Sequence, residues 1–342
     1  MTGPVLSPTA VSGFMPPALR FRALRFRALW FGLALLVWLV LAVPASAQMV
    51  IYPKTGQRFA LLGRGEPTVI VLNGLASSIG EWMPVVRRVS AQTRVFVYER
   101  RGNGRSPVIA SARGSRVIAE ELLEMLDDLS IDRPYVLVGH SLGAVYAQTF
   151  ARLYPDQVAG LLLVDPSVEQ LDRFMMGEDE ETTMPPMTLV FSPGAKAEFR
   201  GRRMAITDRD AAPKLPAGIP VTVLSAGRNM TGGYSELQEQ VTALQSLMAA
   251  DSDDGRHLIV ENSGHNIQKE APHAIELEIA RLVAIGRSKI WDMPQPEDAP
   301  EDAVDDTGDD TADDTGEEAA EELPPAEQTD APGTVGASEA NG

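Results

Sequence analysis

Tyr135-Val136-Leu137-Val138-Gly139-His140-Ser141-Leu142-Gly143-Ala144 is the stretch on which the fold turns. A short apolar, β-branched run leads directly into G-x-S-x-G, and a segment of helical character follows to about Tyr154. The chain must swing from strand to helix within a few residues, leaving the serine strained and its hydroxyl exposed. Gly139 and Gly143 remove the Cβ atoms that would collide around that turn. The hydroxyl then lies at a helix N-terminus, where free N–H groups and the dipole favour developing negative charge. The pentapeptide alone could be a packing turn. Bracketed by this strand and this helix, it points to Ser141 as a nucleophile.

Outward from that turn, apolar runs recur at Thr68–Leu72, Arg94–Tyr98, Tyr135–Val138, Gly160–Val164, Val221–Ser225 and His257–Val260. Segments of helical period lie between them: Ile118, Leu122, Met125, Leu126 and Leu129; Leu237, Val241, Leu244 and Met248; Ile275, Ile279, Leu282 and Val283. Strands alternating with helices predict an α/β fold, a mostly parallel central sheet with helices on both faces. Met49–Tyr52 and Arg58–Leu62 flank Pro53-Lys54-Thr55-Gly56 and read as an antiparallel hairpin at the sheet edge. One connection, 167–217, is long and irregular, with Phe174, Met175, Met176, Met184, Met187, Phe191, Phe199 and Met204 among charges. It is expected to be a cap or lid of short helices over the carboxyl ends of the strands, or else an insertion packed elsewhere. The core is then 48–166 with 218–290.

A nucleophilic serine needs a base, and the chain has four histidines. His140 abuts the serine, and its side chain should point away. His257 starts a strand, and His273 falls in the first turn of a helix. His265, in Ser263-Gly264-His265-Asn266, lies in a loop between the last strand and the last helix, where an imidazole can reach over the sheet edge. The base needs an acid to fix its tautomer. Asp165, in Val164-Asp165-Pro166-Ser167, falls at the carboxyl end of a strand, whereas Ala226-Gly227-Arg228-Asn229-Met230 after the next strand offers no carboxylate. Glu261, Asp251, Asp253 and Asp254 are more distant alternatives. Oxyanion donors are expected from the N–H of Leu142 and, in Asn73-Gly74-Leu75-Ala76, from the N–H of Leu75, where Gly74 permits close backbone approach.

Taken together, Asn73-Gly74 with Trp82, Glu99-Arg100-Arg101-Gly102-Asn103-Gly104-Arg105-Ser106, Gly139-His140-Ser141-Leu142-Gly143 and Ser263-Gly264-His265 resemble the α/β-hydrolase fold superfamily. The resemblance covers about 48–290. It implies a Ser-His-acid triad, mapped here onto Ser141, His265 and Asp165, and a cap inserted after the sixth strand. Two features depart from the common pattern. Asn73-Gly74 stands where many members have His-Gly, and the acid falls after the sixth strand where many have it after the seventh. A serine nucleophile disfavours the dehalogenase and epoxide-hydrolase branches.

Both ends of the chain differ in composition from the middle. Arg20, Arg22, Arg25 and Arg27, the uncharged run Ala28–Val43, and Ala45-Ser46-Ala47 have the three parts of a secretory signal, with Gln48 as the expected mature start. Left uncleaved, 1–47 would be a membrane anchor, and either reading exports the middle of the chain, periplasmic, secreted or anchored facing outward. Residues 291–342 form an acidic segment expected to be disordered, its 18 acidic and no basic residues all falling in 292–342. Of the 30 basic and 47 acidic residues, 26 and 29 fall in 48–291, a net of −3 that argues against a nucleic-acid binder. No cysteine is present, which excludes disulfides and thiolate chemistry. No metal-binding or nucleotide motif is found, so neither metal nor cofactor is expected.

The expectation is therefore an exported serine hydrolase cleaving carboxylic esters through an acyl-enzyme, with a small-molecule ester-like substrate and membrane contact only through an uncleaved N-terminus. An acyltransferase, amidase or lactonase using the same triad is the nearest alternative. A catalytically silent binding protein of the same fold is the alternative from another class.

Overall fold

The computed structural model describes residues 48–109, 111–169, 186–228, 235–250 and 252–291. The expected signal (1–47), the acidic segment from 292, residues 170–185 of the insertion and Asn229-Met230 lie outside the described residues.

The strands are β1 (Val50–Ile51), β2 (Arg58–Leu62), β3 (Thr68–Leu72), β4 (Val95–Tyr98), β5 (Tyr135–His140), β6 (Val158–Val164), β7 (Val221–Ala226) and β8 (Gly255–Val260). They form one sheet in the order β1-β2-β4-β3-β5-β6-β7-β8. The β1–β2 hairpin is antiparallel at the edge, Val50 opposite Phe59, and β2 also runs antiparallel to β4. From β4 to β8 every pairing is parallel. The helices are α1 (Ile79–Val89), α2 (Ser115–Asp128), α3 (Leu142–Leu153), α4 (Pro193–Ala211), α5 (Ser235–Ala250), the short α6 (Ile267–Glu270) and α7 (Pro272–Trp291).

Side chains alternate across a strand, so a sheet covered on both faces needs apolar residues at every position. Val69, Val71, Val95, Val97, Val136 and Val138 face one side and pack against Trp82 and Val86 of α1 and Ile275, Ile279 and Leu282 of α7. Ile70, Leu72, Phe96, Leu137, Leu161 and Leu163 face the other, against Ile118, Leu122 and Met125 of α2 and Val145 and Phe150 of α3. The helical periods of α2 and α7 thus become their core stripes.

In α5 the stripe keeps Val241 and is otherwise displaced by one residue. Leu237, Leu244 and Met248 are half-buried, and the buried line runs through Gln238, Val241, Gln245 and Ala249. Two amides turn inward because each finds hydrogen-bond partners at the carboxyl end of the sheet. The described part of the insertion also departs from a set of short helices. It has one 3₁₀ turn, Pro186–Val190, and then the 19-residue α4, docked against α2 and α3. Glycine-on-glycine contact sets that docking. A Cβ at Gly194 would lie 2.2 Å from Gly102 Cα, and one at Gly201 would lie 2.6 Å from the Arg113 carbonyl oxygen.

The strand order reverses direction between β3 and β5. Connections leaving those two strands diverge, the kind of switch point at which open α/β sheets bind ligands at the carboxyl ends of their strands. The Asn73–Ser78 loop and Ser141 therefore meet there.

Candidate active site

Ser141 ends β5 and N-caps α3 with φ +54° and ψ −122°, a left-handed conformation that side-chain-bearing residues rarely adopt. The surroundings enforce it. A Cβ at Gly143 would sit 2.2 Å from the Leu72 carbonyl oxygen, and one at Gly139 would sit 2.5 Å from Ala144 Cα. The Ser141 N–H donates to Val164 O at 3.0 Å, and the Ser141 carbonyl accepts from the Ser167 N–H at 3.3 Å. The bend is thus tied on both sides to the β6 end.

Asp165 follows β6 immediately, itself at φ +40°. Its N–H donates to Leu224 O at 2.7 Å, holding the residue over β7. Oδ1 accepts from the Ala226 N–H and from Gln245 Nε2, both at 3.1 Å. Oδ2 accepts from His265 Nδ1 at 2.6 Å. Burial would raise the carboxyl pKa, but the hydrogen bonds and the adjacent imidazole outweigh it, so the group is held below the usual carboxylate range. Asp165 is therefore ionised at neutral pH. It fixes the proton on Nδ1 of His265 and leaves Nε2 as the acceptor. The His265 side chain is about half exposed, 49%.

His265 sits in a loop pinned at several points. Its carbonyl accepts from His140 Nε2 at 2.9 Å, Glu270 accepts from the Gly264 N–H at 3.0 Å, and Ile267 is fully buried just beyond. The His140 and His265 rings lie 4.7 Å apart between centroids. His140 is buried against Gly74 and edge-on to Trp82. Burial, with the His265 imidazole beside it, lowers its pKa to about 4, so it is neutral and donates through Nε2.

The structure places Ser141, Asp165, His265 and the Gly74–Leu75 loop at the carboxyl end of the sheet. Ser141, Asp165 and His265 come from the ends of β5, β6 and β8. Gly74 lies against Ser141, since a Cβ there would be 3.5 Å from Ser141 Cβ. Among the described residues, no hydrogen bond is donated by the N–H of Leu75 or of Leu142, which leaves both free for a ligand oxygen. The Ser141 hydroxyl has one partner among the described residues, Ser167 Oγ at 3.4 Å, and makes no hydrogen bond to His265 in this state. His257 lies within β8, not at its start, and bonds Ser225 Oγ at 2.8 Å. Among the described residues no group of three or more His, Asp or Glu side chains is placed to hold a metal ion.

Three participants were not read from the sequence. Gln245 binds Asp165 Oδ1 and the Pro166 carbonyl (2.9 Å) through one amide nitrogen. Its oxygen accepts from Ser225, whose hydroxyl must then accept from His257 Nε2, so the chain of bonds has one polarity throughout. Ser167 contacts the Ser141 hydroxyl. Arg100, part of the Glu99–Ser106 motif, contacts the main chain of the Asn73–Gly74 loop. Periodicity could not find Gln245, because it occupies a core position in an otherwise amphipathic helix.

A family model described as alpha/beta hydrolase fold matches residues 67–187. The chain is similar to the uncharacterised YqjL of Bacillus subtilis, 25% identical over 217 residues that make up 64% of this chain and 83% of that protein. It is also similar to RutD of Stutzerimonas stutzeri, whose name assigns it a provisional carbamate-hydrolase activity. That match is 33% identical over 111 residues, 31% of this chain, and spans only 42% of RutD. Among solved structures, a thermophilic esterase from Thermogutta terrifontis superposes with a TM-score of 0.50 at 20% identity, over 70% of this chain and 99% of that one. An eight-stranded sheet in this order, with a strained serine at the β5 bend and a carboxylate and an imidazole on later strand ends, agrees with those matches: the chain has the alpha/beta hydrolase fold.

Proposed function

We propose that the chain is an exported serine hydrolase that cleaves carboxylic esters, with Ser141 as nucleophile, His265 as general base and acid, and Asp165 as the orienting carboxylate. The observation that carries the reading is the 2.6 Å bond from His265 Nδ1 to Asp165 Oδ2 beside a serine forced into the left-handed region. That arrangement sets an imidazole whose Nδ1 is held by a carboxylate at the same end of the sheet as the half-buried Ser141 hydroxyl.

In the proposed reaction the Ser141 hydroxyl leaves Ser167 and turns to His265 Nε2. Oγ bonds to the ester carbonyl carbon as its proton passes to Nε2. The carbonyl oxygen takes the negative charge and is met by the N–H groups of Leu75 and Leu142. As the C–O bond to the alcohol breaks, the imidazolium returns its proton to the departing oxygen, leaving an acyl-enzyme. Water repeats the sequence, with its proton going to Nε2, and releases the acid. Asp165 stays ionised throughout and stabilises the imidazolium. Export rests on the basic flank, apolar run and Ala45-Ser46-Ala47 site. Among the described residues no helix is long and apolar enough to cross a membrane.

The test is hydrolysis of p-nitrophenyl esters of short and medium chain length, with labelling by a fluorophosphonate probe and identification of the modified peptide. Turnover abolished by Ser141→Ala, and label on Ser141, are expected. Asp165→Asn should retain the fold and lose on the order of 10⁴-fold in kcat, because the wrong imidazole tautomer is then favoured. Ser141-dependent release from amides or carbamates but not esters would move the substrate class. No Ser141-dependent turnover or labelling would favour a silent binding protein. N-terminal sequencing of the exported protein should begin at Gln48.

A further inference from the structure

The loop that carries Leu75 is gripped from below by a charged pair that the proposed mechanism does not use. Arg100, just after β4, and Glu198, on α4, have side chains 1% and 2% exposed. The guanidinium Nε donates to Glu198 Oε1 at 2.6 Å, and one terminal nitrogen donates to Oε2 at 3.1 Å. The remaining reach of the fork goes to two main-chain oxygens, Asn73 O at 2.6 Å and Gly74 O at 3.0 Å. Asn103 Nδ2 completes the carboxylate at 2.9 Å, and the guanidinium lies 4.8 Å from the centre of the Tyr146 ring. Burial alone would lower the Arg100 pKa. The Glu198 carboxylate more than offsets this, so the cation persists.

Covalent geometry gives this grip its consequence. The Gly74 carbonyl and the Leu75 N–H belong to one planar peptide unit. A donor fixed on that oxygen fixes the direction in which the N–H points, on the opposite side of the plane. A cationic donor also draws electron density from the amide and strengthens the N–H as a donor in turn. Gly74 has no side chain to brace the peptide, and its own Cβ position is closed by His140 at 2.8 Å. Within the loop the Gly74 carbonyl accepts a long bond from the Ser77 N–H at 3.4 Å, so the shorter Arg100 bond from outside the loop is the firmer hold on its orientation. Glu198 comes from the insertion, so a residue more than 120 positions downstream sets the donor geometry.

We infer that Arg100, held by Glu198 of α4, is a positioning residue that presets the Leu75 N–H as an oxyanion donor. This rests on the hydrolase reading above and adds to it a role for the insertion: α4 completes the oxyanion site from beneath as well as covering the core.

The test uses the mature full-length protein. Glu198→Gln, Arg100→Lys and the apolar replacement Arg100→Met with Glu198→Leu are compared with wild type in ester kinetics, fluorophosphonate labelling rate and melting temperature. Loss of one oxyanion donor typically costs about 100- to 1,000-fold in rate. Misdirecting one should lower kcat and the labelling rate by about 10- to 100-fold with KM changed less than about threefold. Arg100→Lys, which keeps the charge but not the fork, should fall between wild type and the double variant. A pair that only docks α4 would lower the melting temperature and leave kcat and labelling within about twofold, and that result overturns the proposal. On wild type alone, a structure with a boronic acid on Ser141 should place a boronate oxygen within about 3 Å of Leu75 N with Arg100 still on Gly74 O. An oxygen directed elsewhere overturns the proposal whether or not the variants fold. Wild type that is neither labelled nor active ends the hydrolase reading and this one with it, whereas labelled wild type with equally labelled variants ends this one alone.

Discussion

Neutrality is forced on His140 by its position. Its imidazole would titrate near 6.5 in the unfolded chain and is pushed down to about 4 in the fold. Between those values the unfolded chain binds the extra proton, so stability rises with pH across the window and is lost as pH falls from 6.5 towards 4. A shift of that size corresponds to about 3 kcal/mol. His140→Gln, which keeps a donor for the His265 carbonyl, should flatten this slope in urea denaturation curves taken from pH 7.5 to 4.5. An unchanged slope would mean that another group carries it. Asp165 acts in the same direction at lower pH, its stabilisation being present above the unfolded carboxylate value and lost below it. Gln245 is the residue-scale surprise. A hydrogen bond to a charged group is worth about 1.5–3 kcal/mol, so Gln245→Leu should lower kcat by roughly 10- to 100-fold with little change in KM. It should also move the low-pH loss of stability to higher pH, because Asp165 loses a donor that keeps its pKa down. Equal kcat in the variant would show that Ala226 and His265 suffice to hold the carboxylate.

At the scale of elements, the bend from β5 into α3 has no slack. The atoms facing Gly143 are the main-chain oxygens of Leu72 and Asn73, which cannot move aside without displacing β3. Gly143→Ala should therefore destabilise by more than about 3 kcal/mol, seen as a loss of soluble protein or a sharply lowered melting temperature. A variant melting within a few degrees of wild type would show that the bend can open. The strand runs and the stripes of α2 and α7 were legible because burial on both sheet faces, or on one helix face, repeats with a fixed period. Of the residues expected to line α5, Val241 is buried, and the other three lie one position from the buried line. Its inward face carries two amides whose partners come from β7 and the β6 end, and no local pattern shows a hydrogen bond to a distant strand.

For the molecule as a whole, every residue assigned to the site and both apolar clusters fall within 48–291. A chain lacking 1–47 and 292–342 should fold cooperatively and keep Ser141-dependent turnover within about twofold of the full-length mature protein, compared at equal ionic strength because 18 acidic side chains are removed. A large loss would assign the acidic segment a part in substrate capture or folding. The residues from which chemistry could be expected were readable in the chain itself. G-x-S-x-G, the lone acid after β6 and the histidine after β8 are each a residue type placed at a strand end, and strand ends follow from periodicity. Which atoms brace them was settled only by packing in three dimensions. The reversal of strand order between β3 and β5 brings the Asn73–Ser78 loop to the serine. The same packing sets Gln245 behind the acid and carries Glu198 across from the insertion to Arg100. Those contacts join residues tens of positions apart, and their energies depend on burial and direction, which a linear order of side chains does not carry.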